Sequence, residues 1–227
     1  MSEAINPLDK ITEQSFWEWF NKHAGPNLGF RERTLRKTFE YLDTLPDPIV
    51  MVETGCLRKI GQWSDGQSTL LFCVYKLFRG NGARVITVDI DPISTQNCFE
   101  IVGNQAEINT YDSVAFLHKL KIDFTAKKIK PSFFYLDSFD VNWYYPLESA
   151  AHHLKELTAI SPILEKNTLV VIDDSPVNLH GASQEEGKFG LILNLGIGGK
   201  GMLVAQYAYA VGATILFSEY QAGFIGF

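Results

Sequence analysis

The sequence predicts a doubly wound α/β protein: a mostly parallel sheet that ends in a C-terminal antiparallel hairpin and is preceded by N-terminal helices. Three observations predict it. Short, almost continuous apolar runs recur from residue 48, the form of strands buried on both faces. Helical stretches separate them, and that alternation implies crossover units with helices on both sides of the sheet. The runs also finish on acids, with Glu53, Asp89, Asp112, Asp137 and Asp173–Asp174 at or just after strand ends.

Residues 1–47 read as a helical extension packed on the core, and residues 48–227 as the main domain. "ITEQSFWEWFNKH" spaces Ile11, Phe16 and Phe20 near a helical repeat, with Thr12 as its expected cap. After "AGPN", "FRERTLRKTFEYLDTL" resumes the repeat with a Leu35–Phe39–Leu42 stripe. "PIVMVETG" is the first buried strand, "STLLFCVYKLFRG" a helix with a glycine stop, and "ARVITVDIDP" the second strand. "TQNCFEIVGN" reads as a helix, "AEINTYD" as the third strand and "SVAFLHKLKID" as a helix. A strand over 133–137, a helix across 146–160 and a strand over 168–173 follow. "KGMLVAQYAYAVG" is the last helix, and "ATILFSEYQAGFIGF" divides into two strands around "SEYQAG", a hairpin.

The 227 residues suffice for a full core, and 46 % hydrophobic with 20 % charged residues is the composition of a globular protein. A net charge of −6 argues against a nucleic-acid groove. The densest basic group, Lys127, Lys128 and Lys130, reads as a solvated loop. No leader is visible, and no run approaches the ~18 apolar residues of a membrane span, so a cytoplasmic protein without a membrane partner is expected. Cys56, Cys73 and Cys98 lack any CxxC spacing and fit reduced thiols. A homo-oligomeric state stays open.

In an open α/β sheet, ligands sit beyond the carboxyl ends of the strands, near the switch in strand order. Acids gathered there repel one another. A cationic or hydroxyl-rich ligand is therefore expected among them.

"VETG", "ITVDIDP", "YLDSFD" and "LVVIDDS", taken in order with the final helix and hairpin, resemble the motifs of class I S-adenosylmethionine-dependent methyltransferases over residues 48–227. That fold is Rossmann-like. The closer resemblance is to the metal-dependent O-methyltransferases, catechol-type and macrocin-type sugar enzymes among them. It implies methyl transfer from S-adenosylmethionine to a hydroxyl of a small acceptor, with a sugar as one candidate. Cofactor contacts are implied at Glu53 and Gly55, at Ser68 in the helix opening "DGQST", at Asp89 on the ribose, and at Asp112 and Ser113 near the adenine. Asp91 rivals Asp89, and Asp112 and Ser113 suit a helix cap equally well. The family's compact glycine-rich turn is replaced by a longer loop, "CLRKIGQWSDG".

Asp137, Asp173 and Asp174 stand where metal-dependent relatives hold Mg²⁺ or another divalent cation. Catechol-type relatives carry asparagine at the position of Asp174, and macrocin-type ones aspartate. Without an ion, three close carboxylates would have nothing to neutralise them; the other reading is that they cap helices. Asp137 and Asp140 are the catalytic candidates, Asp140 as the base where catechol-type relatives place a lysine.

Two rival readings remain. One is a phosphotransferase-like enzyme binding Mg-nucleotide through "GIGGKG" at 196–201, and the other a non-catalytic cofactor-binding module. His152 and His153 fall inside a helix and read as packing or surface residues, while His180 sits in a polar loop. Trp143, Tyr144 and Tyr145 either wall an acceptor pocket or pack.

Overall fold

Side-chain alternation on the strands decides the layering. In the computed structural model, which describes residues 8, 11–65, 67–177 and 196–227, seven strands form one sheet. They are β1 (Val50–Thr54), β2 (Arg84–Asp89), β3 (Glu107–Thr110), β4 (Phe133–Leu136), β5 (Leu169–Ile172), β6 (Thr214–Ser218) and β7 (Ala222–Ile225), in the order β3-β2-β1-β4-β5-β7-β6. The first five run parallel, and β7 lies antiparallel between β5 and β6. The predicted doubly wound sheet with its reversed hairpin is the observed one.

The helices are α1 (Phe16–Trp19), α2 (Glu32–Asp43), α3 (Ser68–Arg79), α4 (Pro92–Val102), α5 (Ser113–Lys127), α6 (Leu147–Ile160) and α7 (Met202–Val211). Met51, Val85, Phe133, Tyr135, Leu169 and Val171 point to one face of the sheet and pack with Phe16, Phe20, Phe39 and Phe72 of the N-terminal region and α3. Val50, Val52, Ile86, Phe134, Leu136 and Ile172 point to the other, against α5, α6 and α7 through Leu117, Phe124, Leu157 and Val204. Period-two alternation sends successive residues to opposite layers, so both layers must be apolar. Each fully buried Phe or Leu contributes about 1.5–3 kcal/mol.

Three expectations about elements need correction. The first helix starts at Phe16 with Ser15 as its cap, accepting from the Glu18 amide at 3.1 Å, and not at Thr12. Glu13 is instead drawn to Lys22 and His23, each at 2.8 Å. The helix also changes into a π-helical turn over Phe20–Ala24. The fourth helix begins at Pro92, because both oxygens of Asp91 cap it by accepting from the amides of Ile93 and Ser94.

The chain leaves β1 to build β2 and β3 on one side, then returns to build β4 and β5 on the other. The crevice between the ends of β1 and β4 is therefore the switch point where such sheets bind ligands. Among the described residues, no helix is long and apolar enough to cross a membrane.

Candidate active site

Gly55 sits in that crevice. Its φ is +81°, and a Cβ there would lie 2.7 Å from the carbonyl oxygen of Asp137. Only glycine lets β1 turn away this close to β4. Two adjoining cavities open beside it, of about 260 and 290 Å³. Gly55, Gln67, Ser68, Asp137 and Asp140 line the first, and Asp112, Ser113, Phe139 and His152 the second. Asp89, Ile90 and Ser138 line both.

Asp89 is half-buried and held by two amides, Asp91 N at 2.9 Å and Cys56 N at 3.3 Å. Each carboxylate oxygen has a second lone pair available for a ligand hydroxyl. Asp91 is occupied in capping α4 and also accepts from Ser94 Oγ at 2.7 Å. Asp112 caps α5 through the Ala115 amide at 2.9 Å while lining the second cavity. Its cap role and a ligand role coexist in the geometry.

Glu53, in β1 two residues before Gly55, is 1 % exposed. Its Oε2 accepts from Thr69 Oγ1 at 2.6 Å, and its Oε1 has no partner among the described residues. Burial pushes its carboxyl up to about 7, with the hydrogen bond from Thr69 opposing the rise. An orphaned buried oxygen costs free energy unless something fills the place. The long loop after β1 is organised around Gln67, whose amide donates to Lys59 O at 2.8 Å and accepts from the Gly61 amide at 3.0 Å. Gly66 lies outside the described residues, as does His180.

The second cavity contains an arrangement around His152, which the sequence reads as a packing or surface residue. His152 lines it, with Nε2 at 2.9 Å from Ser113 Oγ and 3.5 Å from Glu156 Oε1. Ser138 donates to the same Glu156 oxygen at 2.6 Å. Burial would raise the Glu156 carboxyl, but His152, His153, Ser113 and Ser138 together hold it below its ordinary value. The His152–Glu156 spacing of four residues was the available signal, since it puts both on one helix face. His153 does pack: it is fully buried, and burial lowers its imidazole to about 4.

The three metal candidates converge, with one oxygen from each of Asp137, Asp173 and Asp174 all within 4.8 Å of one another. They do not lack counter-charges. Arg31 Nε donates to both oxygens of Asp173 at 3.0 and 2.9 Å, and Arg31 Nη2 reaches Asp174 Oδ1 at 3.0 Å. Lys200 Nζ, on a side chain 1 % exposed, bridges Asp137 Oδ1 and Asp174 Oδ2, the latter at 3.2 Å. Gln221 donates to Asp173 at 2.9 Å and Tyr220 to Asp174 at 2.6 Å. The expectation of unneutralised carboxylates is thereby overturned. Burial tends to raise the Asp173 carboxyl, but Arg31, Lys200 and Gln221 hold it at about 2.

Arg31 comes from the turn before α2, in the helical extension, and no motif marked it. "GIGGKG" is no phosphate loop, because Lys200 points inward. Gly199, with φ +54°, lies so close to Asp174 that a Cβ would come within 2.0 Å of its carbonyl oxygen. Asp140 sits at the rim of the first cavity, its side chain 78 % exposed, 3.5 Å from Arg58 Nη1. Tyr144 and Tyr145 are exposed, and the Trp143 ring lies against Gly199.

No protein-family model matches the chain, and no curated protein matches it. Solved structures do match. The TDP-rhamnose 3'-O-methyltransferase CalS11 of calicheamicin biosynthesis is 15 % identical, with 92 % of this chain and 86 % of that one covered at a TM-score of 0.49. The O-methyltransferase TomG from Streptomyces achromogenes is 13 % identical, with 95 % and 91 % covered at 0.48. An O-methyltransferase from Bacillus cereus is 13 % identical, with 96 % and 94 % covered at 0.46. At these identities and scores the likeness adds nothing to what the sheet order already shows, the Rossmann-like fold.

Proposed function

We propose that the chain is a methyltransferase that moves a methyl group from S-adenosylmethionine to a hydroxyl of a small acceptor. The observation that carries this reading is the pair of adjoining cavities at the switch point, which meet at Asp89. A nucleoside bound there would set its ribose hydroxyls on Asp89 and its base between Phe139, Ser113 and His152. Its amino-acid arm would lie over Gly55 and Ser68, near the orphaned oxygen of Glu53, which suits an ammonium. The residues therefore fit the cofactor. When bound, S-adenosylmethionine supplies a methyl group on a sulfonium and leaves as S-adenosylhomocysteine.

The chain's own part is to orient the acceptor and take its proton. Asp137 is the better base of the two acids, because it lines the cavity half-buried while Asp140 stands in solvent. Burial raises the Asp137 carboxyl well above its ordinary value, with Lys200 opposing the rise. The Lys200 ammonium on its Oδ1 favours the ionised form, in which Asp137 can take the acceptor's proton as the new C–O bond forms and the methyl leaves the sulfonium. The divalent ion implied by the resemblance does not fit the aspartate cluster as folded, since Lys200 and Arg31 hold its oxygens. No step here depends on an ion. The inward Lys200 likewise removes the basis for reading the chain as a nucleotide phosphotransferase.

Binding of S-adenosylhomocysteine tests the cofactor geometry. Asp89→Ala should weaken it about 10- to 100-fold by removing charge-assisted bonds to the ribose. Asp91→Ala should change affinity little and lower stability instead, through the lost helix cap. If the two effects came out reversed, the ribose would belong on Asp91.

A further inference from the structure

We infer that Lys200 is the resident counter-cation of the acidic strand ends, positioning Asp137 so that the cluster works without a divalent metal. This deepens the proposed reading in taking the strand ends as its acceptor side, but its evidence and its test do not need the cofactor.

Charge comes first. Three carboxylates meet two cations, Arg31 and Lys200, within hydrogen-bonding distance. A Mg²⁺ ion would have to sit about 2.0–2.1 Å from the oxygens it bound. Lys200 already contacts Asp137 Oδ1 and Asp174 Oδ2, so an ion sharing those atoms would lie against an ammonium. Like charges at such a distance repel strongly in a site of low dielectric.

Position comes second. Lysines at a protein surface extend their ammonium to water, yet this one is turned inward and 1 % exposed. The backbone accounts for that. Lys200 N donates to Asp174 O at 3.0 Å, and Gly198 N to Pro176 O at 3.0 Å. The close approach of Gly199 to Asp174 completes a clamp that joins the start of α7 to the segment after β5. Lys200 therefore leaves the backbone already aimed at Asp137, and expelling it to admit an ion would require opening the clamp. A fixed ammonium does there what an ion would do: it neutralises Asp174 and fixes the rotamer of Asp137.

Full-length protein titrated with Mn²⁺ and followed by electron paramagnetic resonance, with parallel melting curves in Mg²⁺, Mn²⁺ and chelator, tests this. The wild type should bind no stoichiometric Mn²⁺, and its melting temperature should not respond to metal or chelator. Lys200→Ala should melt lower and should gain one Mn²⁺ site, with a melting temperature that rises with the metal. A merely structural lysine would not create a metal site when removed. Stoichiometric Mn²⁺ binding by the wild type, lost in Asp137→Asn, would overturn the inference even if Lys200→Ala failed to fold. A folded Lys200→Ala that stayed indifferent to Mn²⁺ would overturn it too.

Discussion

Arg31→Met should destabilise the protein by about 3–5 kcal/mol in equilibrium denaturation, the cost of leaving a buried charge without its partner. Asp173 is 1 % exposed and receives two oxygen–nitrogen contacts from Arg31 Nε. Methionine preserves most of the side chain's volume, so the loss reads the charge and not a cavity. The double variant Arg31→Met/Asp173→Asn should recover at least half of the loss, because the stranded carboxylate is gone. Acid should act in the same direction. The Asp173 carboxyl lies at about 2 in the folded protein and near 4 when unfolded. Its contribution is present above pH ~4 and is lost as the pH falls toward 2. A single variant within about 1 kcal/mol of wild type would mean that Arg31 does not neutralise Asp173.

Glu53→Gln should stabilise the cofactor-free protein at pH 8 by about 3 kcal/mol and leave it unchanged near pH 4.5. The sign follows from a folded-state carboxyl raised to about 7 from an ordinary 4.5. Below pH 4.5 the group is protonated folded or unfolded, and burial costs nothing extra. Between pH 4.5 and 7 the unfolded chain ionises first, so stability falls as the pH rises; above 7 the penalty is complete. The same substitution should weaken S-adenosylmethionine binding, because a neutral amide replaces the carboxylate proposed above to meet the ammonium. Stability lost at pH 8, or cofactor affinity unchanged, would remove Glu53 from the site.

The fold was legible because it rests on local pattern. Buried runs such as "VMVET" and "FFYL" become β1 and β4 wherever they are read, and their acidic ends fall at one sheet edge by topology alone. The gathering of Asp137, Asp173 and Asp174 was legible for the same reason. What neutralises them was not. Arg31 and Lys200 lie 142 residues before Asp173 and 63 after Asp137, and only the packed fold brings them there. Charge counting at the strand ends saw the acids and missed cations arriving from a helical extension and a glycine clamp. The place of His152 beside the second cavity was not legible, for a different reason. A helix was correctly predicted around it, but the side on which that helix meets the second cavity is a tertiary property. Thr12 failed as a cap because Ser15 offered the same hydroxyl one turn later, where the buried aromatics begin.

The central claim is that the switch-point cavities take an adenosyl cofactor with a methionine arm, and calorimetry on the wild-type chain tests it most directly. S-adenosylmethionine and S-adenosylhomocysteine should each bind at one site per chain, without added metal, and ATP with Mg²⁺ should give no heat of binding. Binding of Mg-ATP with no response to either methionine-bearing ligand would contradict the account.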